Sequence, residues 1–212
     1  EVQREVDDIE ALIDAFGGKA YLYGMSSGAM LALEAASRLP DKVIKLVMYE
    51  PPLILDDSRP PVPADYLPRL NELIAQGRRG DAVALFMIDA VGIPEEFVAQ
   101  MRGAPSSQAP AGNDGMAPPE WAAMEEIAHT LAYDATIMGE LMSGKPLPEG
   151  RWTSATMPVL VITGGNSATF FASGAQALVE QLPDARHEVL EGQDHNVSPT
   201  ALAPVLLKFF AA

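Results

Sequence analysis

The sequence of 212 residues contains no cysteine and only three histidines. The lack of cysteine excludes disulfide bonds, thiol nucleophiles and cysteine metal ligands. The histidines are scattered, at positions 129, 187 and 195, and no HExxH pattern is present. We therefore expect neither a metal ion nor an organic cofactor.

Basic residues and long apolar runs are also scarce. Lys and Arg number 14 against 29 Asp and Glu, so the formal net charge is −15. Phosphate binding needs clustered Lys and Arg, which argues against nucleic acid as a partner. No apolar run approaches the roughly 20 residues of a membrane-spanning helix, and no signal-peptide pattern is present. We expect a cytoplasmic protein whose partner is a small, neutral substrate, with no membrane contact.

Short apolar runs alternate with helical patterns at both ends of the chain. Such alternation is typical of the α/β class with parallel strand pairing. Apolar spacing predicts helices over residues 2–16, 29–39, 168–182 and 199–211, and strands over residues 20–23, 43–49, 159–162 and 187–190.

The middle of the chain has no strand pattern. Five prolines between residues 51 and 64 indicate a linker. Amphipathic segments follow near residues 65–76, 81–91, 94–102 and 119–142, separated by a loop over 103–118 that we expect to be mobile. The sequence thus predicts a core over residues 1–52 and 151–212, with a helical lid inserted over residues 53–150.

One short motif indicates a catalytic site. Residues 24–28 read Gly-Met-Ser-Ser-Gly, the G-x-S-x-G pattern, with a predicted strand before and a predicted helix after. This context displays a serine hydroxyl on a sharp, strained turn, so Ser26 is the candidate nucleophile. Ser27, the next residue, is the candidate backbone donor to an oxyanion. The alternative is a glycine-rich turn that only joins strand to helix.

His195 follows a predicted strand and precedes the last helix. A loop at the end of a parallel strand can bring a side chain to the sheet edge where Ser26 is displayed. His195 is therefore the candidate general base. His187 lies within a strand and His129 within the helical insertion, and we expect both to be structural.

The segments LYGMSSG, LVMYEPP, PVLVITGG and GQDHNVSP resemble the α/β-hydrolase superfamily, in its branch with a serine nucleophile, over essentially the whole chain. The resemblance implies the α/β-hydrolase fold: a mostly parallel sheet flanked by helices, with a helical lid. Serine at position 26 excludes the haloalkane dehalogenases and epoxide hydrolases of this fold, which use aspartate there.

The sequence departs from the family pattern at the expected acid. The usual aspartate position is occupied by Ser167, and serine cannot stabilise an imidazolium by charge. Some members place the acid after the earlier strand, where this chain has Glu50, so Glu50 is the predicted orienting acid. The alternative is a carboxylate that caps the lid entrance or a helix N-terminus. Asp194 is a poor rival, because adjacent residues seldom let a carboxylate reach the neighbouring ring.

A second departure is the absence of about four N-terminal strands that the family has, including the loop with the second oxyanion donor. We expect a segment of a longer polypeptide. The outer edge of strand 20–23 would otherwise be exposed, so the N-terminal remainder or a second copy is expected to cover it.

Methionines and aromatic residues in the insertion favour an adaptable apolar pocket, although most of them pack the insertion itself. Met25 and Met138 are the predicted substrate contacts. We predict a serine hydrolase that cleaves a neutral, moderately hydrophobic carboxylic ester, thioester or lactone through an acyl-enzyme. An acyltransferase or a carbon–carbon bond hydrolase would use the same residues, and a non-catalytic ligand-binding protein of the same fold is the other alternative.

Overall fold

The chain forms two compact units in a computed structural model that describes residues 1–103 and 119–212. Residues 1–61 and 137–212 make up the first unit, and residues 62–136 the second. The predicted mobile loop lies outside the described residues, apart from Gly103.

Strands and helices alternate in the first unit, as the apolar pattern predicts. The strands are β1 (Ala20–Met25), β2 (Val43–Tyr49), β3 (Val159–Gly164) and β4 (Ala185–Leu190). In chain order the α-helices are α1 (Val2–Ala15), α2 (Ser27–Arg38), α3 (Tyr66–Ala75), α4 (Arg79–Leu85), α5 (Glu95–Gly103), α6 (Pro119–Glu126), α7 (Leu131–Met138), α8 (Thr169–Gln181) and α9 (Pro199–Ala211). Every strand and helix predicted for the two ends of the chain is present, with small shifts at the boundaries.

The four strands form one parallel sheet in the order β1-β2-β3-β4. Their register pairs Met25 with Tyr49, Tyr49 with Ile162, and Gly164 with Leu190. The carboxyl ends of the strands therefore meet at one edge of the sheet, which is where ligands bind in open parallel sheets. This confirms the predicted α/β architecture with a parallel sheet.

Apolar side chains cover both faces of the central strands. Val47 and Tyr49 pack with β3 side chains against Leu202 and Phe209 of α9, and partly buried residues complete this cluster. Five apolar side chains of α9 belong to this cluster: Leu202, Val205, Leu206, Phe209 and Phe210. Leu46 and Met48, on the opposite face of β2, are equally buried. This burial on both faces explains why the central strands consist of continuous apolar runs.

β1 lies at the edge of the sheet and pairs only with β2 among the described residues. Tyr21 and Tyr23 of this strand are 46% and 40% exposed. A segment that covers this edge stays a prediction.

The described part of the second unit contains helices and no strand, but its helices break more often than predicted. Residues 119–142 divide into α6, a 3₁₀ turn (Ala128–Thr130), α7 and a second 3₁₀ turn (Gly139–Met142) that already belongs to the first unit. Gly139 has φ 46°, which ends the regular helix there. A π-helix, Phe86–Val91, continues α4.

The second unit, residues 62–136, lies inside the predicted insertion 53–150, whose boundaries stay a prediction. The Ile54 N–H donates to the Leu141 carbonyl at 3.0 Å, and the Gly144 N–H donates to the Ile54 carbonyl at 2.8 Å. Both bonds lie within the first unit, where they pair the two chain segments that flank the second unit in sequence. Apolar periodicity does not reveal such pairing between irregular segments.

Candidate active site

Ser26 lies on a strained turn between β1 and α2. Its φ is 55° and its ψ is −132°, a backbone conformation that L-amino acids other than glycine rarely adopt. A Cβ atom at Gly24 would lie 2.7 Å from the Cα atom of Ala29, so only glycine fits there. The geometry is that of the strand–turn–helix elbow which the G-x-S-x-G pattern predicts.

Glu50 also has a positive φ, at the end of the next strand. Ser26 and Glu50 are the two residues other than glycine with positive φ in the described parts of the chain, and φ of Glu50 is 46°. They directly follow β1 and β2, whose last residues pair with each other. Backbone strain of this kind persists where the surrounding structure maintains it, and it concentrates at functional sites.

The Glu50 carboxylate is completely buried and bonded through both oxygens. Its Oε1 atom accepts the Gly164 N–H at 2.7 Å, and its Oε2 atom lies 2.8 Å from Nδ1 of His195. Burial raises the pKa of the Glu50 carboxyl, but the bonds from His195 and the Gly164 N–H, with the nearby Ser167 hydroxyl, lower that pKa by more. The net pKa lies below the ordinary value, so Glu50 is an anion at neutral pH.

Ser167, at the usual position of the family acid, lies beside Glu50. Its hydroxyl oxygen is buried without a hydrogen bond of good geometry. It nevertheless approaches closely enough to help lower the pKa of the Glu50 carboxyl. The two positions for an acid therefore lie next to each other in space.

His195 is bonded and packed on several sides and remains partly accessible, with its side chain 40% exposed. Its ring stacks on Phe171 at a centroid distance of 5.2 Å. The Tyr49 hydroxyl donates to the carbonyl of the preceding residue, Asp194, at 2.6 Å. The Asp194 carboxylate accepts the Asn196 N–H at 2.8 Å, so it is engaged within its own loop.

The other candidate residues occupy different environments. Nε2 of His187 lies 2.8 Å from the Thr163 hydroxyl oxygen, and burial lowers the pKa of its imidazole. The His129 ring meets the Tyr133 ring edge-on in the helical unit. Ser27 begins α2, so its N–H lies at the positive end of the helix dipole.

The two predicted substrate contacts lie in the first unit. Met25 ends β1 and is partly buried against the cluster under α9. Met138 ends α7 and is buried. Their role as substrate contacts stays a prediction.

The described residues thus bring the Glu50 and His195 side chains together, and a backbone bond ties Ser26 to the residue before Glu50. The Ser26 N–H donates to the Tyr49 carbonyl at 2.9 Å, and Tyr49 immediately precedes Glu50. Sequence reasoning missed the Tyr49 hydroxyl, the Phe171 ring and the Gly164 N–H, because their contacts join distant segments. The neighbouring LVMYEPP and PVLVITGG segments mark the strand ends but not these bonds.

The arrangement suits proton transfer. A carboxylate at Nδ1 fixes the tautomer that leaves Nε2 as a proton acceptor, and it stabilises the imidazolium after protonation. In the described ranges, no group of three or more His, Asp or Glu side chains could bind a metal ion. No helix there is long and apolar enough to cross a membrane.

Comparison with known proteins shows the family and the fold. The family model for the alpha/beta hydrolase family matches residues 1–205. An alpha/beta hydrolase from Sphaerobacter thermophilus DSM 20745 has 46% sequence identity and a TM-score of 0.82, over 99% of this chain and 74% of that one. No curated protein sequence matches significantly.

Two more distant structures share the fold. A carboxylesterase of Nitrososphaera gargenis has 19% identity and a TM-score of 0.54, over 99% of this chain and 71% of its own. The 2-hydroxy-6-oxo-6-phenylhexa-2,4-dienoate hydrolase of Rhodococcus sp. strain RHA1 has 22% identity and a TM-score of 0.55, over 100% of this chain and 71% of its own.

Proposed function

Because the chain belongs to the alpha/beta hydrolase family, we propose that it is a serine hydrolase that cleaves a neutral, moderately hydrophobic carboxylic ester, thioester or lactone. Ser26 is the nucleophile, His195 the general base and Glu50 the acid that orients His195. The observation that carries the proposal is the 2.8 Å contact between Glu50 and His195, at the sheet edge where Ser26 lies on its strained turn.

The first half of the reaction forms an acyl-enzyme. The Ser26 Oγ atom bonds to the carbonyl carbon while its proton passes to Nε2 of His195, and the carbonyl electron pair moves to the oxygen. The Ser27 N–H and the N-terminus of α2 stabilise that oxyanion. The oxyanion then collapses and breaks the bond to the alcohol or thiol, which takes the proton from His195.

Water completes the cycle. His195 accepts one proton from the water as its oxygen attacks the acyl carbon, and the second tetrahedral intermediate releases the carboxylic acid. The proton returns from His195 to Ser26. Glu50 remains ionised throughout and stabilises the imidazolium in both halves.

The proposed substrate class rests on the apolar contacts expected from Met25 and Met138 and on the acidic composition, which disfavours an anionic substrate. The carboxylesterase among the related folds is compatible with this class. Cytoplasmic localisation stays a prediction.

The decisive test is labelling of the full-length protein with a serine-directed fluorophosphonate, together with hydrolysis of p-nitrophenyl esters of increasing acyl length. Labelling is expected in the wild type, absent in Ser26→Ala and His195→Ala, and strongly reduced in Glu50→Ala. Folded wild type that neither labels nor hydrolyses any ester would contradict the proposal and favour a non-catalytic ligand-binding protein.

A further inference from the structure

One residue is bonded to Ser26 and to the residue before His195, and it directly precedes Glu50, although the sequence pattern gives it no role. Tyr49 is the last residue of β2 and is fully buried. Its carbonyl accepts the Ser26 N–H at 2.9 Å, and its hydroxyl donates to the Asp194 carbonyl at 2.6 Å. The next residue along the chain is Glu50.

The hydroxyl bond acts on the backbone that leads into His195. Glu50 fixes the imidazole from the ring side, at Nδ1, whereas Tyr49 fixes the carbonyl of the residue before His195. Two separate bonds from consecutive residues therefore determine where the histidine lies. A ring that depends on one of them alone has more freedom to rotate away from Glu50.

The Tyr49 hydroxyl is suited to a permanent donor role. Burial raises the pKa of this hydroxyl, and the nearby Glu50 carboxylate raises it further. The proton therefore remains on the phenol at neutral pH, where the hydroxyl can donate to the Asp194 carbonyl.

We propose that Tyr49 is a positioning residue for the hydrolytic reaction: through the Asp194 carbonyl, its hydroxyl orients the His195 imidazole toward Glu50. This inference rests on the proposed function only for its kinetic consequence. The orientation of His195 is a structural property that can be measured without turnover.

The test compares Tyr49→Phe with wild type in the full-length protein, with two readouts. The first is ester hydrolysis, where kcat is expected to fall about 10-fold or more while KM changes by less than about twofold, because a misplaced base affects the chemical step rather than binding. The second is the downfield proton NMR resonance of the His195 ring N–H bonded to Glu50. We expect this resonance to broaden or vanish as the N–H exchanges with water.

The matched control is Tyr21→Phe, which removes a hydroxyl from the neighbouring strand, where the ring stacks on Phe210. It is expected to change neither readout. A third variant, with 4-aminophenylalanine at position 49, keeps a weaker donor and should give values between those of tyrosine and phenylalanine.

Unchanged kcat and an unchanged resonance in Tyr49→Phe would overturn the inference, even if its melting temperature falls, because the hydroxyl would then serve stability alone. Should Tyr49→Phe not fold, the 4-aminophenylalanine variant decides by the same two readouts, and wild-type values there overturn the inference. The resonance is also measured in Ser26→Ala, because this readout does not require catalysis.

An absence of fluorophosphonate labelling in wild type would refute the proposed hydrolase function. The NMR resonance would then remain as the test of the role of Tyr49.

Discussion

Glu50 and His195 are separated by 145 residues in the chain, yet their side chains meet at 2.8 Å across the end of an intervening strand. Glu50 follows β2 and His195 follows β4, and β3 lies between them. The other oxygen of Glu50 accepts the N–H of Gly164, the last residue of β3. The Glu50 carboxylate therefore connects the end of β2 with the end of β3 and with the loop after β4.

Because Glu50 contacts His195 directly, we expect Glu50→Gln to lower kcat strongly. Glutamine has nearly the same volume and can still accept the Gly164 N–H, but it carries no charge to stabilise the imidazolium. We expect kcat for ester hydrolysis to fall about 10³-fold or more, with little change in KM. The measurement is steady-state hydrolysis of a p-nitrophenyl ester.

The matched control is Glu191→Gln, which neutralises an exposed carboxylate in the loop after β4. It should retain activity within about twofold, because surface charges contribute little. A Glu50→Gln variant that keeps more than a tenth of wild-type kcat would exclude Glu50 as the orienting acid.

Because Ser167 lies next to Glu50, we predict that an aspartate at position 167 can take over the role of Glu50 as the orienting acid. A carboxylate introduced by Ser167→Asp would lie next to the position of the Glu50 side chain. In the Glu50→Gln background, we expect Ser167→Asp to restore at least about 10-fold of the lost kcat, since either position can orient the histidine.

In the wild-type background, where Glu50 is present, Ser167→Asp should destabilise the protein. Two carboxylates that share one buried site cannot both ionise without repulsion, so Ser167→Asp alone is expected to lower the free energy of unfolding by about 1–3 kcal/mol. Chemical denaturation measures this loss. Equal effects of Ser167→Asp on activity in both backgrounds would contradict the shared site.

The sequence allowed prediction of those features that depend on local pattern. Continuous apolar runs predicted the central strands because these strands are buried on both faces. The G-x-S-x-G pattern predicted the strained turn at Ser26 because Gly24 has no room for a side chain. The family resemblance implies Glu50 as the orienting acid, and the adjacency of Asp194 to His195 argues against Asp194. The structure places the Glu50 carboxylate against the His195 ring.

Features that depend on contacts between distant segments could not be predicted in this way. The bond from Tyr49 to the Asp194 carbonyl joins two parts of the chain that share no motif. The breaks within residues 119–142 follow from backbone conformation at single positions such as Gly139, whereas amphipathic spacing continues through them. The bonds of Ile54 with Leu141 and Gly144 likewise join irregular segments that share no sequence pattern.

The lowered pKa of Glu50 predicts a specific loss of stability in acid. A carboxyl whose pKa is lower in the folded state than in the unfolded state stabilises the fold. Its contribution is fully present at pH values above the unfolded-state pKa of 4.5. That contribution is lost as the pH falls through the lowered folded pKa. Urea denaturation between pH 7 and pH 3 should therefore show a steeper decline below about pH 4.5 for wild type than for Glu50→Gln. Parallel declines would mean that folding does not shift the pKa of Glu50.

The two glycines of the G-x-S-x-G pattern predict opposite outcomes for the same substitution. A Cβ at Gly24 would overlap the backbone of Gly28 and Ala29, which cannot move without displacing α2. A Cβ at Gly28 would meet no atom within 4 Å, and Gly28 is the second residue of that helix. Gly24→Ala should therefore lower the free energy of unfolding by about 3 kcal/mol or more, whereas Gly28→Ala should leave it unchanged or raise it by up to about 1 kcal/mol.

Each variant thus serves as the control for the other, because both add one methyl group to the same turn. Thermal and urea denaturation measure the free energy of unfolding of both variants. Fluorophosphonate labelling shows whether the turn at Ser26 keeps its geometry. Gly24→Ala should lose labelling together with stability, since the clash acts on the backbone that displays Ser26. A stable, fully labelled Gly24→Ala protein would mean that close packing of β1 against α2 does not maintain the strained conformation of Ser26.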